Sequence, residues 1–210
     1  MTHSLHRRGS LGSLRHDYVW QPYPAQNIND KNLPEKFGAI IDIVEELGSP
    51  NWGDIKTGPR VAVDAATIRG KLTQKSRVRG VFTEKAQVVE FLRRMKKLDT
   101  GLSLVISGIT DEVLDACRET GLKPHSVNLS LGVWGKKKLL PPEEVLEVTT
   151  MCGHHMVSSN IVRLVAERVR NGALTPAEGG RRLAGLCPYG IFNPERASAL
   201  LKKMAGKSRG

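Results

Sequence analysis

The chain has 210 residues, 40% of them apolar and 25% charged, and a formal net charge of +11. That length suits one domain with an appendage and can bury a core without disulfides. Three cysteines, Cys117, Cys152 and Cys187, exclude a disulfide-framed secreted scaffold, and an odd number fits a reducing cytoplasm. No apolar run approaches the ~18 residues of a membrane span. The polar, basic stretch from Met1 to Arg15 lacks the apolar core of a secretory signal. The chain is therefore expected to be cytoplasmic, with no membrane partner. Aromatic residues make up only 5%, too few for a surface built on base stacking.

The charge is unevenly spread. Residues 61–100 hold ten basic and four acidic side chains, residues 151–210 hold ten and three, and residues 1–60 balance at seven each. Basic blocks at 61–100 and 163–209 would attract nucleic acid, anionic lipid or a phosphorylated ligand. The plainer reading is a solvated surface ending in a disordered basic tail, Lys202 to Arg209.

In chain order, residues 1–60 read as an irregular N-terminal arm, rich in Gly, Ser and Pro, with a short helix from Leu33 to Leu47. Gly48 and Pro50 end that helix, and Asn51–Asp54 and Gly58-Pro59 read as turns. Residues 61–140 read as an α/β core. Arg77–Phe82 alternates like a strand, and Thr83-Glu84 opens a helix lined by Val88, Val89, Leu92 and Met95. Gly101 stops it, and Leu102–Ile106 is a nearly continuous apolar run. Thr110-Asp111-Glu112 opens a second helix, on whose apolar face Cys117 is expected to be buried. Ser126–Trp134 alternates again, as a third strand, and Val61-Ala62-Val63 is a candidate fourth. The expected fold class is thus α/β, a small parallel βαβαβ sheet with right-handed crossovers. Residues 141–210 read as a C-terminal helical unit. Pro141-Pro142-Glu143-Glu144, Ser158, Thr175-Pro176-Ala177-Glu178 and Asn193-Pro194 mark its helix starts.

The sharpest chemical feature is Cys152-Gly153-His154-His155 with Cys187 two helices later. Thiolate and imidazole are ligand types for zinc and for iron–sulfur clusters. Cys152, His154, His155 and Cys187 are therefore the candidate metal ligands, with zinc or an iron–sulfur cluster as cofactor. The two cysteines are expected to lie close together. Of the adjacent histidines, His154 is favoured as ligand over His155. Two protomers sharing a cluster would make the chain a homodimer. The spacing matches no zinc-finger rule. Two unrelated loop cysteines are the plainer alternative.

The segments Cys152-Gly153-His154-His155-Met156-Val157-Ser158 and Cys187-Pro188-Tyr189-Gly190-Ile191-Phe192-Asn193-Pro194-Glu195-Arg196-Ala197 resemble a family of anaerobic bacteria and archaea of the methanogenesis-marker type, to which no reaction is assigned. The family pattern has Cys-x-Cys-Gly in the second motif. Here Tyr189 stands at the second cysteine. The resemblance implies a setting in anaerobic metabolism and a redox or metallocofactor accessory role. Two other functions fit the residues: a polyanion-binding module using the basic blocks, or a metal-free enzyme at the carboxyl edge of the sheet near Thr83, Thr110 and Trp134.

Overall fold

Five short strands and nine α-helices make up the described residues, 6–206, of the computed structural model. A single turn, α1 (Leu11–Leu14), leads into β1 (Tyr18–Tyr23). α2 (Leu33–Glu46) carries Pro34 in its first turn and buries Leu33, Phe37, Ile40, Ile41 and Val44 along one face. β2 (Asn51–Asp54) and β3 (Gly58–Pro59) pair as a hairpin, and Asp64 caps α3 (Ala65–Gly70). Then come β4 (Val78–Phe82), α4 (Lys85–Leu98), β5 (Ser103–Ser107) and α5 (Thr110–Glu119). The cap of α4 is Glu84, locked by a capping box with Gln87, so Thr83 lies just outside the helix. Thr110 lies inside α5, behind Ile109.

The sheet runs β3-β2-β4-β1-β5, and every neighbouring pair is antiparallel. The expected parallel sheet is therefore wrong. β4 and β5, linked by α4, do point the same way, but β1 separates them. Val19 pairs with Val81 on one side and with Ser107 on the other. The irregular N-terminal arm is likewise corrected, because it supplies the strand between β4 and β5. Tyr18, Val19 and Trp20 are buried on both faces, so the period-two signal of a half-exposed strand is missing. Pro22 looks like punctuation, yet it lies past the ladder with β4, which ends at Trp20. Gly80 is required beside β1, since a Cβ there would sit 2.5 Å from the Trp20 ring.

Neither further strand forms. Residues 126–134 are irregular and exposed, with Leu131 at 87% and Trp134 at 81%. Alternation describes a two-faced segment, but it does not supply a ladder partner. Val61–Val63 is a turn, with the N–H groups of Ala62 and Val63 both donating to the Pro59 carbonyl.

The C-terminal helices are α6 (Glu143–Thr149), α7 (Ser159–Arg170), α8 (Pro176–Gly185) and α9 (Pro194–Ala205). Ser158, Thr175 and Asn193 cap α7, α8 and α9 through their side chains, and Glu178 completes a capping box at α8. Lys202 and Lys203 form the last turn of α9 rather than a tail, while Lys207 and Arg209 lie outside the described residues. Two cores result, one on each side of the sheet. Tyr18 and Trp20 pack with α2 and α4, whereas Val19 packs with α6 to α9 and both Cys152 and Cys187. No described helix is long and apolar enough to cross a membrane.

Candidate functional site: a buried thiol pair

Cys152 follows the end of α6 and Cys187 follows the end of α8. Each is drawn in by the preceding helix: Cys152 N–H donates to the Thr149 carbonyl and Cys187 N–H to that of Ala184. Both residues are 0% exposed, and their sulfurs meet in a hydrogen bond. Cys187 S–H donates to Cys152 Sγ, and the backbone N–H groups of His154, Met156 and Val157 point at the same sulfur. Hydrogen bonds to the charged form favour it. The Cys187 bond is the largest effect, and together these donors outweigh burial and hold the Cys152 pKa at about 6. Cys187 is pushed far up, first as donor in that bond and then by burial. The N–H of Tyr189 and the charge of Arg7 oppose this. Negative charge in the pair therefore favours Cys152 over Cys187.

Two devices hold the cysteine loops together, and a third seats the Cys187 loop on β2. Buried Arg7 donates to the carbonyls of Met151, 3.0 Å away, and Ile191, tying one loop to the other. Arg7 also pairs with Asp17, which accepts from Arg196 at 2.6 Å and from Asn193 at 3.3 Å. Second, the His154 and Tyr189 rings, each two residues past a cysteine, stack with centroids 4.0 Å apart and planes 8° from parallel. Third, Gly190 takes φ +71° and presses on β2. A Cβ there would lie 2.2 Å from the Gly53 nitrogen. Asn51 Nδ2 donates to the Phe192 carbonyl at 3.0 Å beside it.

The expected ligands are therefore arranged unequally. Cys152 and Cys187 come together. Both histidines are exposed: His154 lays its ring against Tyr189, and His155 takes a left-handed conformation at φ 58°. Among the described residues, no three His, Cys, Asp or Glu side chains are gathered for a metal ion. The donors thus fit zinc or a cluster only in part, with two sulfurs of the usual four ligands.

Of the other sequence candidates, Cys117 is half-buried at the margin of the β1–α2–α4 core, and burial raises its pKa. The Thr83 hydroxyl donates to Gln87, and Trp134 lies on the exposed segment. An antiparallel sheet has no common carboxyl edge at which to take a ligand. In the first basic block, Arg69, Lys85, Arg93 and Arg94 are ion-paired.

Sequence reasoning missed Arg7, Asp17, Tyr189 and Arg196 as parts of the site. Asn193 and Arg196 lie within the Cys187 motif, and that was their only signal. Arg7 and Asp17 come from a stretch with no periodicity. No family model, curated protein or solved structure matches the chain significantly.

Proposed function

We propose that this chain is a thiol protein whose working centre is the Cys152–Cys187 pair, passing between dithiol and disulfide. The observation that carries the reading is the hydrogen bond between two buried sulfurs delivered by separate loops. The step balances with an external disulfide as oxidant. Cys152 thiolate attacks one sulfur of that disulfide, the S–S bond breaks, and one thiolate leaves. Cys187 then loses its proton and attacks the Cys152 sulfur. The internal disulfide closes and the second thiol departs with that proton. A low-pKa attacking sulfur beside a high-pKa partner suits this order of events.

The test is oxidation of the native protein with glutathione disulfide, followed by intact-mass analysis and peptide mapping. The expected product is one Cys152–Cys187 disulfide with Cys117 still a free thiol. Stable glutathione adducts without the internal bond, or no reaction while the denatured protein reacts, would overturn the reading.

The donor N–H groups on both sulfurs support a second reading, in which a soft ion such as zinc takes the same pair and completes its ligand set from outside the chain. That carries forward the role of a metal-binding accessory protein. Anaerobic purification with assays for metal and acid-labile sulfide separates the two. Stoichiometric metal lost in both Cys152→Ser and Cys187→Ser favours the ion, and a metal-free protein that oxidises cleanly favours the redox pair.

A further inference from the structure

Arg79 sits on β4 with Gly53 as its ladder neighbour on β2. Gln21 lies on β1, the other neighbour of β4, one residue past the last β1–β4 pair, Trp20–Gly80. Along β1, Tyr18 and Trp20 enter the core under α2 and α4, and Val19 enters the core that holds both cysteines. Alternation turns Gln21 toward the cysteine side. Arg79 shares that side, since its guanidinium carbon lies over the Tyr189 ring, 5.3 Å from the centroid. Tyr189 is stacked in turn on His154, whose backbone N–H donates to the Cys152 sulfur.

Packing leaves two features unexplained. Gln21 is 1% exposed, yet neither its amide oxygen nor its amide nitrogen has a hydrogen-bond partner. Buried amides are ordinarily satisfied, so one left open in a well-packed sheet is an exception that asks for a ligand. Arg79 is partly buried and makes no ion pair among the described residues, whereas buried Arg7 and Arg196 share Asp17. Burial is the main influence on the Arg79 guanidinium and lowers its pKa. The Gln21 amide N–H₂ is thus a buried donor without an acceptor, and the guanidinium on the neighbouring strand is a cation without a counter-charge among the described residues.

We infer that Arg79 and Gln21 form the anion-binding end of a ligand site beside the thiol pair, and that the ligand is a small disulfide or thiol bearing a carboxylate. A carboxylate accepts from the planar guanidinium and from the amide together, and it supplies the counter-charge that a neutral acceptor does not. The inference rests on the thiol reading only for the reacting end of the ligand. The charged end stands on the sheet alone.

The experiment separates the two ends. Dithiodipropionate and hydroxyethyl disulfide differ in charge but share the reacting bond, and suberate copies dithiodipropionate with CH₂–CH₂ in place of S–S. Wild type is expected to lose its Cys152 and Cys187 thiols about tenfold faster with dithiodipropionate than with hydroxyethyl disulfide. In Arg79→Gln the ratio of the two rates falls to about onefold. Suberate, followed by NMR titration of the Cys152→Ser variant, binds with Arg79 present and is lost in Arg79→Gln. Gln21→Leu is expected to melt higher than wild type and to bind suberate more weakly, because it replaces an unpartnered buried amide by an apolar group. Suberate binding that is absent, or that survives Arg79→Gln, overturns the site, as does a lowered melting temperature in Gln21→Leu. Inorganic phosphate binding more tightly than suberate overturns the carboxylate assignment. Suberate bound through Arg79 without any internal disulfide from dithiodipropionate keeps the site and removes the thiol reading.

Discussion

Cys152 draws its charge from its neighbours, and that has a measurable consequence. Thiolate absorbance in the ultraviolet should titrate with a midpoint near the value of about 6 set by Cys187 and the loop N–H groups. In Cys187→Ala the largest of those donors is gone, so the midpoint should rise toward the ordinary thiol value of about 8.5. The same group links stability to pH. Its folded pKa lies below its unfolded one, so between about pH 6 and pH 8.5 the unfolded chain holds a proton that the folded chain has released. Stability should rise with pH across that window, be fully present above it, and be lost as pH falls through 6. Denaturant melts at pH 5.5, 7 and 8.5 check this, and a slope unchanged in Cys187→Ala would refute the assignment. Gly190 offers a second test. Its left-handed backbone and its closeness to Gly53 mean that Gly190→Ala should cost about 3 kcal/mol in equilibrium unfolding.

Among the elements, β1 carries the most consequence for its length. It joins β4 to β5, sends Tyr18 and Trp20 into one core and Val19 into the other, and brings Asp17 to Arg7 and Arg196. Trp20→Ala should lower stability by about 3–5 kcal/mol in a denaturant titration, the range for truncating a large buried aromatic. A loss under 1 kcal/mol, small against that range, would mean that the strand is dispensable. The helix caps act more locally. Thr175→Ala removes one side of the α8 capping box and should cost about 1 kcal/mol. Such caps are legible along the chain because Ser158, Thr175 and Asn193 act on residues two or three positions ahead. Where side-chain reach decides the start, as with Gln87 at α4, the reading slips by a residue.

For the molecule as a whole, the buried network around Asp17 binds the N-terminal stretch to the cysteine loops. Asp17 is 1% exposed and is the shared partner of Arg7 and Arg196. Asp17→Asn takes from Arg7 and Arg196 the carboxylate they share, leaving Arg196 only Glu147 at 3.9 Å, and should lower stability by about 3–5 kcal/mol. It should also raise thiol reactivity, since Arg7 ties Met151 to Ile191. Stability by denaturation and labelling of Cys152 in the same variant measure the two effects. If the fold weakens while Cys152 stays as slow to label as in wild type, the clamp has no bearing on the thiols.

What local order settled and what it left open divide along reach. The helices of α4, α5, α7, α8 and α9 follow from periodicity and from neighbours within a few residues, and so do β4 and β5. Cys152 and Cys187 stand out because their chemistry is rare in this chain and their loops follow helices. The sheet order was decided elsewhere. A strand's partners are chosen by long-range burial, and Tyr18–Trp20, apolar on both faces, carries no alternation to announce it. Residues 126–134 carry the alternation and find no ladder. The polarity of the thiol pair, the His154–Tyr189 stack and the Arg7 clamp all join residues from distant parts of the chain. Only folding places them at hydrogen-bonding or stacking distance, so no spacing along the sequence could announce them.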